Sequence, residues 1–159
     1  MIQIGPYSYD PQEAMPQQQV DYDCSAAATA WFGRSIGWQW TELNVLWEFS
    51  KAGIISPAWG LLDATGAGIV SWLALQPLQA TNGPVDWPRL VTMAGGGPLI
   101  MGGAKFDHWI GIRELLNDQV VSIANSAVGW MGVYNTMNQS QFDNLGPFNG
   151  VWLDAASLS

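Results

Sequence analysis

The 159-residue chain has one cysteine, one histidine and only five basic side chains against thirteen acidic ones. A single cysteine excludes an internal disulfide framework and any zinc site built on cysteine pairs. A single histidine without repeated ligand spacing leaves no metal-binding pattern, even though Asp107 stands beside it. The net charge of −8 repels phosphate backbones, which argues against nucleic-acid partners. It equally disfavours adsorption to anionic membranes. No run reaches the ~18 uninterrupted apolar residues of a membrane span. The opening Met1–Pro6 lacks the basic and apolar regions of a signal peptide. The expected setting is therefore cytoplasmic, or released or virion-associated for a chain of phage origin.

What remains is apolar and aromatic. Hydrophobic residues make up 48% of the chain and ten are tryptophan, enough to build one domain around a real core. We expect a single domain over 1–159, with an extended arm over 1–15. Most of the tryptophans read as core filling and surface anchors. A groove of stacking platforms for sugars or peptides is the functional alternative.

The first half of the chain reads as helical. A polar approach, Pro16-Gln17-Gln18-Gln19-Val20-Asp21-Tyr22, runs into Asp23-Cys24 and then into Ser25-Ala26-Ala27-Ala28-Thr29-Ala30-Trp31-Phe32. The alanine-rich pattern predicts a helix over 24–35, with Asp23 at its N-cap and Cys24 in its first turn. Thr41 caps a second helix over 42–52, with Leu43, Leu46, Trp47 and Phe49 on its apolar side and Gly53 at its end. A loop over 54–59 follows, then a third helix from about Asp63 to Leu75. Thr81-Asn82-Gly83-Pro84 reads as a turn. Asp86 caps a short helix over 87–94.

The second half reads as strands. Leu99–Met101, His108–Arg113, Gln119–Ala124 and Trp130–Tyr134 are candidate strands, with Asn117-Asp118 as a hairpin turn. A last short helix over 138–144 precedes a closing strand, Gly150–Leu153. Helices followed by hairpin-linked strands indicate an α+β fold with an antiparallel sheet. The glycines at 95–97 lie between a helix and a strand, the wrong order for a phosphate loop.

One constellation carries chemistry. A thiol reacts as its thiolate, and a helix N-terminus and an imidazolium neighbour both favour that form. Cys24 has the first, and His108 on a strand could supply the second. The imidazole needs an acceptor on its other nitrogen. Asn125, one strand later across the hairpin, is placed to reach it. A glutamine amide with the Cys24 N–H could receive an oxyanion, and Gln18 and Gln19 both lie just upstream. Taken singly, a lone cysteine is usually an inert core residue and a lone histidine a structural one. Asp21 and Asp23 oppose a low thiol pKa.

Gln18…Asp23-Cys24-Ser25-Ala26-Ala27, His108-Trp109-Ile110-Gly111-Ile112 and Asn125 together resemble the papain-like cysteine peptidases. The double-glycine (bacteriocin-leader) peptidase group is the subgroup most similar. The resemblance covers roughly residues 15–130. It implies a papain-like fold in which the N-terminal helices pack on a C-terminal antiparallel sheet and Cys24 begins a helix. It also implies Cys24 as nucleophile, His108 as general base and acid, Asn125 as orienter, and Gln18 as oxyanion donor with Gln19 as the alternative. No cofactor is implied. The chain departs from the family in carrying Ser25 where glycine is usual, and Asn125-Ser126 where Asp-Pro is common. Asp23-Cys24-Ser25 also resembles the signature of NlpC-type cell-wall peptidases, although glycine is missing after Ser25.

The expected function is hydrolysis of peptide or cell-wall peptide bonds through an acyl-enzyme, in a maturation or a phage-type lytic setting. The alternatives are a catalytically silent papain-like binding or virion-structural module and, more remotely, a carbohydrate-binding domain. Oligomeric state is left open.

Overall fold

A computed structural model describes residues 1–154. In chain order the elements are β1 (Ile2–Ile4), β2 (Tyr7–Tyr9), α1 (Cys24–Ser35), α2 (Glu42–Ala52), β3 (Ile55–Ser56), β4 (Gly60–Leu61), α3 (Ala67–Leu75), β5 (Ala80–Val85), α4 (Trp87–Met93), β6 (Leu99–Gly103), β7 (His108–Asn117), β8 (Val120–Ala124), β9 (Thr136–Asn138), α5 (Gln139–Leu145) and β10 (Phe148–Leu153). Six of the strands form one antiparallel sheet in the order β5-β10-β6-β7-β8-β9. The fold is α+β, as expected, with helices packed against an antiparallel sheet.

Strand alternation gives the sheet two apolar faces. On one face Ile100, Trp109 and Val151 meet Trp31, Phe32, Phe49, Ile69 and Leu73 from α1, α2 and α3. On the other, Met101, Ile110, Ile112 and Ile123 meet Trp87 and Leu90 from α4 and Phe142 and Leu145 from α5. The chain therefore forms three layers, with the sheet in the middle. No helix among the described residues is long and apolar enough to cross a membrane.

Local signals set the helix ends. Thr41 accepts from the Asn44 N–H at 3.1 Å and Asp86 from the Arg89 N–H at 2.9 Å. Asn138 and Gln141 form a reciprocal capping box on α5. Each bond satisfies a donor the helix leaves free.

α1 lies close to the sheet because Gly111 in β7 has no side chain. A Cβ there would stand 2.5 Å from the Trp31 ring, well inside van der Waals contact. Trp31 in turn donates its indole N–H to the Glu13 carbonyl at 3.0 Å. Arg113 of β7 donates to the Pro11 and Glu13 carbonyls, both at 2.7 Å. These bonds fix the segment leading to Cys24 against both α1 and β7.

Several expectations are corrected. Residues 1–15 are not simply an extended arm: β1 and β2 pair as a hairpin and Tyr9 is fully buried. On α2, Leu43 and Trp47 face outward (59% and 66% exposed), while Val45, Phe49 and Glu42 point inward. The 54–59 loop is a small hairpin, β3 paired with β4. α3 begins at Ala67, because Gly66 adopts a left-handed conformation ahead of it. Thr81–Pro84 is part of edge strand β5, whose pairing with β10 overrides the local turn signal. Trp130–Gly132 is a short 3-10 turn, and the next strand is β9. β10 lies inside the sheet, between β5 and β6.

Candidate active site

Cys24, the first residue of α1, and His108, the first residue of β7, line one cavity of about 370 Å³. The fold brings them together because the N-terminus of α1 and the start of β7 lie at the same end of the α1–sheet contact. The third predicted residue is carried in by the β7–β8 hairpin. The pairing ends at Gly111 with Ala124, so one step further sets Asn125 opposite Ile110. His108 shares a face with Ile110 and is thus the diagonal cross-strand neighbour of Asn125.

The contact is made. His108 Nε2 lies 2.8 Å from Asn125 Oδ1, and both residues are buried, at 4% and 6% exposure. The Asn125 amide can face only one way. Its Nδ2 donates to the Val133 carbonyl at 3.2 Å and the Tyr134 carbonyl at 2.9 Å. Its Oδ1 also accepts from the Ala127 N–H at 3.0 Å. A flipped amide would set its oxygen against two carbonyls, so Oδ1 faces the imidazole and Nε2 must donate to it. In the neutral ring this leaves Nδ1 as the bare, basic nitrogen.

Aromatic rings flank the imidazole. Phe106 stands edge-on at 5.5 Å between centroids, and Trp130 is tilted at 6.4 Å. The Trp130 indole N–H donates to the Phe106 carbonyl at 2.7 Å, which locks the two flanking residues to each other. Sequence reading missed this clamp by taking 130–134 for a strand. The signal was present in Gly129 and Gly132, both at positive φ (94° and 79°), which bracket a tight turn.

Burial dominates the electrostatics of both reactive groups. It pushes the Cys24 thiol up to about 11, with Asp107 and Asp23 adding to the rise and the backbone N–H groups of Trp109 and Ser25 opposing it. The thiol is therefore not depressed, as the helix start suggested. Burial also holds His108 below the usual imidazole range, although the Asn125 hydrogen bond and Asp107 pull the other way. Both shifts favour the uncharged forms, a protonated thiol and a neutral imidazole.

Asp23 occupies the N-cap position of α1, but its side chain makes no capping bond. Its Oδ2 accepts from the Gln19 N–H at 3.2 Å, while its Oδ1 is buried without a partner. Burial raises its pKa, partly offset by hydrogen bonds from Gln19, Val20 and Gln18.

The two glutamines separate clearly. Gln18 is half-buried. Its Nε2 donates to the Val20 carbonyl at 3.1 Å and its Oε1 accepts from Ser126 Oγ at 2.7 Å. It thereby ties the approach to Cys24 to the residue after Asn125. Gln19 is exposed, with its amide on the Gln17 carbonyl. Neither lines the cavity. The described residues hold no group of three or more His, Cys, Asp or Glu side chains able to bind a metal ion.

Neither a protein-family model nor a curated protein matches this chain. Solved structures do. One is a double-glycine-motif protease from an AMS/PCAT transporter, in complex with its leader peptide. It superposes with a TM-score of 0.69 at 15% identity, over 97% of this chain and 100% of that one. Another, from Bacillus anthracis, is described as a C39-like peptidase. It superposes with a TM-score of 0.63 at 11% identity, over 93% of this chain and 98% of that one. The chain thus has the papain-like fold of the C39 peptidases along nearly its whole length.

Proposed function

We propose that the protein is a cysteine peptidase that cuts peptide bonds through an acyl-enzyme on Cys24. The observation that carries this reading is the buried His108–Asn125 hydrogen bond, which fixes the imidazole tautomer in the cavity that Cys24, the chain's only cysteine, also lines. The fold shared with solved C39 peptidases supports it.

On this reading Cys24 Sγ attacks the scissile carbonyl carbon as its proton passes to His108 Nδ1. The carbonyl oxygen becomes the oxyanion of a tetrahedral intermediate. His108 then gives the proton to the leaving amine, the C–N bond breaks and a thioester remains. Water attacks the thioester with His108 again as base, and the acid product leaves. With burial raising the thiol and lowering the imidazole, His108 acts on this reading as a base at the moment of attack rather than as a preformed imidazolium. Asn125 holds the ring and Trp130 shields it. The Cys24 N–H and the Gln18 amide are the proposed oxyanion donors. The Gln18 amide rests on the Val20 carbonyl and against Asp23, so it would turn from these partners to receive the oxyanion.

The substrate we propose is a peptide, in keeping with the leader peptide bound by one of the structural relatives. Maturation of a precursor and lysis of cell-wall peptide are the two settings, and zymography on cell walls separates them. One feature favours a silent binding module instead: burial pushes the Cys24 thiol up to about 11, away from the reactive thiolate. The deciding experiment is incubation of a defined peptide pool with wild type, Cys24→Ala and His108→Ala, followed by mass spectrometry of the fragments. The peptidase reading expects cleavage by wild type alone. Intact peptides throughout, together with binding that survives Cys24→Ala, would favour the silent module.

A further inference from the structure

The cavity over Cys24 and His108 has an electrostatic character that hydrolysis alone does not use. Two carboxylates line it: Asp21 on the loop ahead of Cys24, and Asp107 on the turn ahead of His108. No lysine or arginine does. The chain has five such residues, and each is engaged elsewhere. Arg34 pairs with Glu13, Lys51 with Glu48, and Lys105 donates to the Asn144 carbonyl. Arg113 is bound to the Pro11 and Glu13 carbonyls, and Arg89 lies over the Trp152 ring at 4.7 Å. The two acids therefore face the cavity with no lysine or arginine among the described residues paired to them; the one base beside them is His108.

The turn ahead of β7 holds Asp107 at the cavity. The residue is held at φ 53°, and its N–H donates to the Gly103 carbonyl at 2.8 Å across the β6–β7 turn. Opposite, the β3–β4 turn contributes Trp59, which is 79% exposed and lines the same cavity. An open indole face attracts cations through its quadrupole. Two carboxylates without a lysine or arginine partner and an indole around one cavity are the chemistry that receives an ammonium or guanidinium group, and they repel an acidic side chain.

We propose that this cavity selects peptides carrying a lysine or arginine side chain beside the bond to be cut, with Asp21 and Asp107 as the specificity-determining groups. The inference rests on the reading of Cys24 as the peptidase nucleophile. It adds a coupling to that reading, since Asp107 is one of the charges that keep the Cys24 thiol protonated. A substrate cation seated against Asp107 weakens that hold as it binds.

Because Cys24 is the only cysteine, charged thiol reagents probe the cavity without any hydrolysis. The rate of Cys24 modification is measured with cationic aminoethyl and with anionic sulfonatoethyl methanethiosulfonate. Each is divided by its rate with a neutral small thiol, in wild type, Asp21→Asn, Asp107→Asn and the double variant. The expected cation-to-anion preference is about tenfold in wild type at low salt. It falls severalfold in each single variant and approaches one in the double variant and at about 1 M salt. A wild-type preference near one, or one unchanged in the double variant, overturns the proposal. In parallel, kcat/KM is compared for peptides differing only by Lys, Gln or Glu beside the scissile bond. The expected order is Lys above Gln above Glu. Peptides cut equally well whatever their charge refute the cation site and leave the peptidase reading intact. A reagent preference for cations with no peptide cut refutes the peptidase reading and leaves the cation site standing.

Discussion

His108 and Asn125 are joined by a buried 2.8 Å hydrogen bond whose direction is fixed by the far side of the asparagine. Asn125 spends both amide protons on the Val133 and Tyr134 carbonyls, so its oxygen alone faces the ring. A carboxylate at this position would keep the acceptor for His108 but set a charged oxygen against two carbonyls. Asn125→Asp is therefore expected to destabilise the fold by about 1–3 kcal/mol, the cost of buried polar groups left without partners. Asn125→Ala is expected to lower kcat by roughly 10²-fold, as the imidazole loses its fixed orientation. Thermal melts and peptide kinetics on the two variants check both. An Asn125→Asp variant as stable as wild type would contradict the assigned amide orientation.

The pH profile follows from the two burial effects. His108 must be neutral to take the thiol proton. Burial lowers its pKa, so the ring stays neutral below the ordinary value of about 6.5. The acid limb of kcat/KM is accordingly expected below pH 6.5. The thiol is pushed up to about 11, so no loss is expected between pH 7 and 9. An imidazolium–thiolate mechanism would instead lose activity as the imidazolium deprotonates on the alkaline side. Steady-state rates from pH 5 to 9.5 separate the two.

Asp23→Asn is expected to shift two properties together. A buried acid whose folded pKa is raised binds its proton more tightly folded than unfolded. Its contribution to stability is present below the unfolded value of about 3.9 and is lost as pH rises through the folded value. At pH 7 the charged form is thus a burden. Asparagine keeps an acceptor for the Gln19 N–H without the charge. The variant should melt higher than wild type at pH 7, with the difference closing near pH 4. It should also alkylate Cys24 at lower pH, because one of the charges raising the thiol is gone. A melting temperature unchanged at pH 7 would count against the strained burial of this carboxyl.

Gly111→Ala tests how tightly α1 is held on the sheet. A methyl there meets the Trp31 ring at 2.5 Å, and Trp31 is fully buried. Overpacking of this kind costs about 1–3 kcal/mol. Because Cys24 is on α1 and His108 on β7, the same shift separates the reacting pair. Loss of stability and of activity is expected together. Full activity in a destabilised variant would mean that the α1–β7 spacing does not set the site.

Local chemistry explains which features were legible in the sequence. The α1 alanines, the Thr41 cap and the Asp86 cap each act within a few residues, and each helix formed where its signal lay. Thr81–Pro84 misled because its partner, β10, comes from the far end of the chain. At the sheet edge Pro84 has no ladder bond to lose. On α2 Phe49 is buried as read, but Leu43 and Trp47, read with it, face outward and Val45 takes their place inside. Apolar size alone does not tell an inner face from an outer one. That His108 meets Asn125 and shares a cavity with Cys24 was readable because the cysteine and histidine are unique in the chain and the asparagine lies one hairpin away. The Trp130–Phe106 clamp and the Ser126–Gln18 bond were not, because they join segments that only the folded sheet brings together.

The central claim is a covalent intermediate on one sulfur, and the direct measurement is an acid-quenched intact mass. Wild type is mixed with a peptide it cleaves, stopped in acid within milliseconds to seconds, and weighed beside Cys24→Ala and Gln18→Ala. The account predicts a transient mass increase equal to the acyl half of the peptide, located on Cys24. It predicts no increase in Cys24→Ala, and an increase slowed by about 10²–10³-fold in Gln18→Ala, the cost of removing an oxyanion donor. Peptide cleavage that proceeds in Cys24→Ala, or without any adduct on Cys24 under single-turnover conditions, would contradict it.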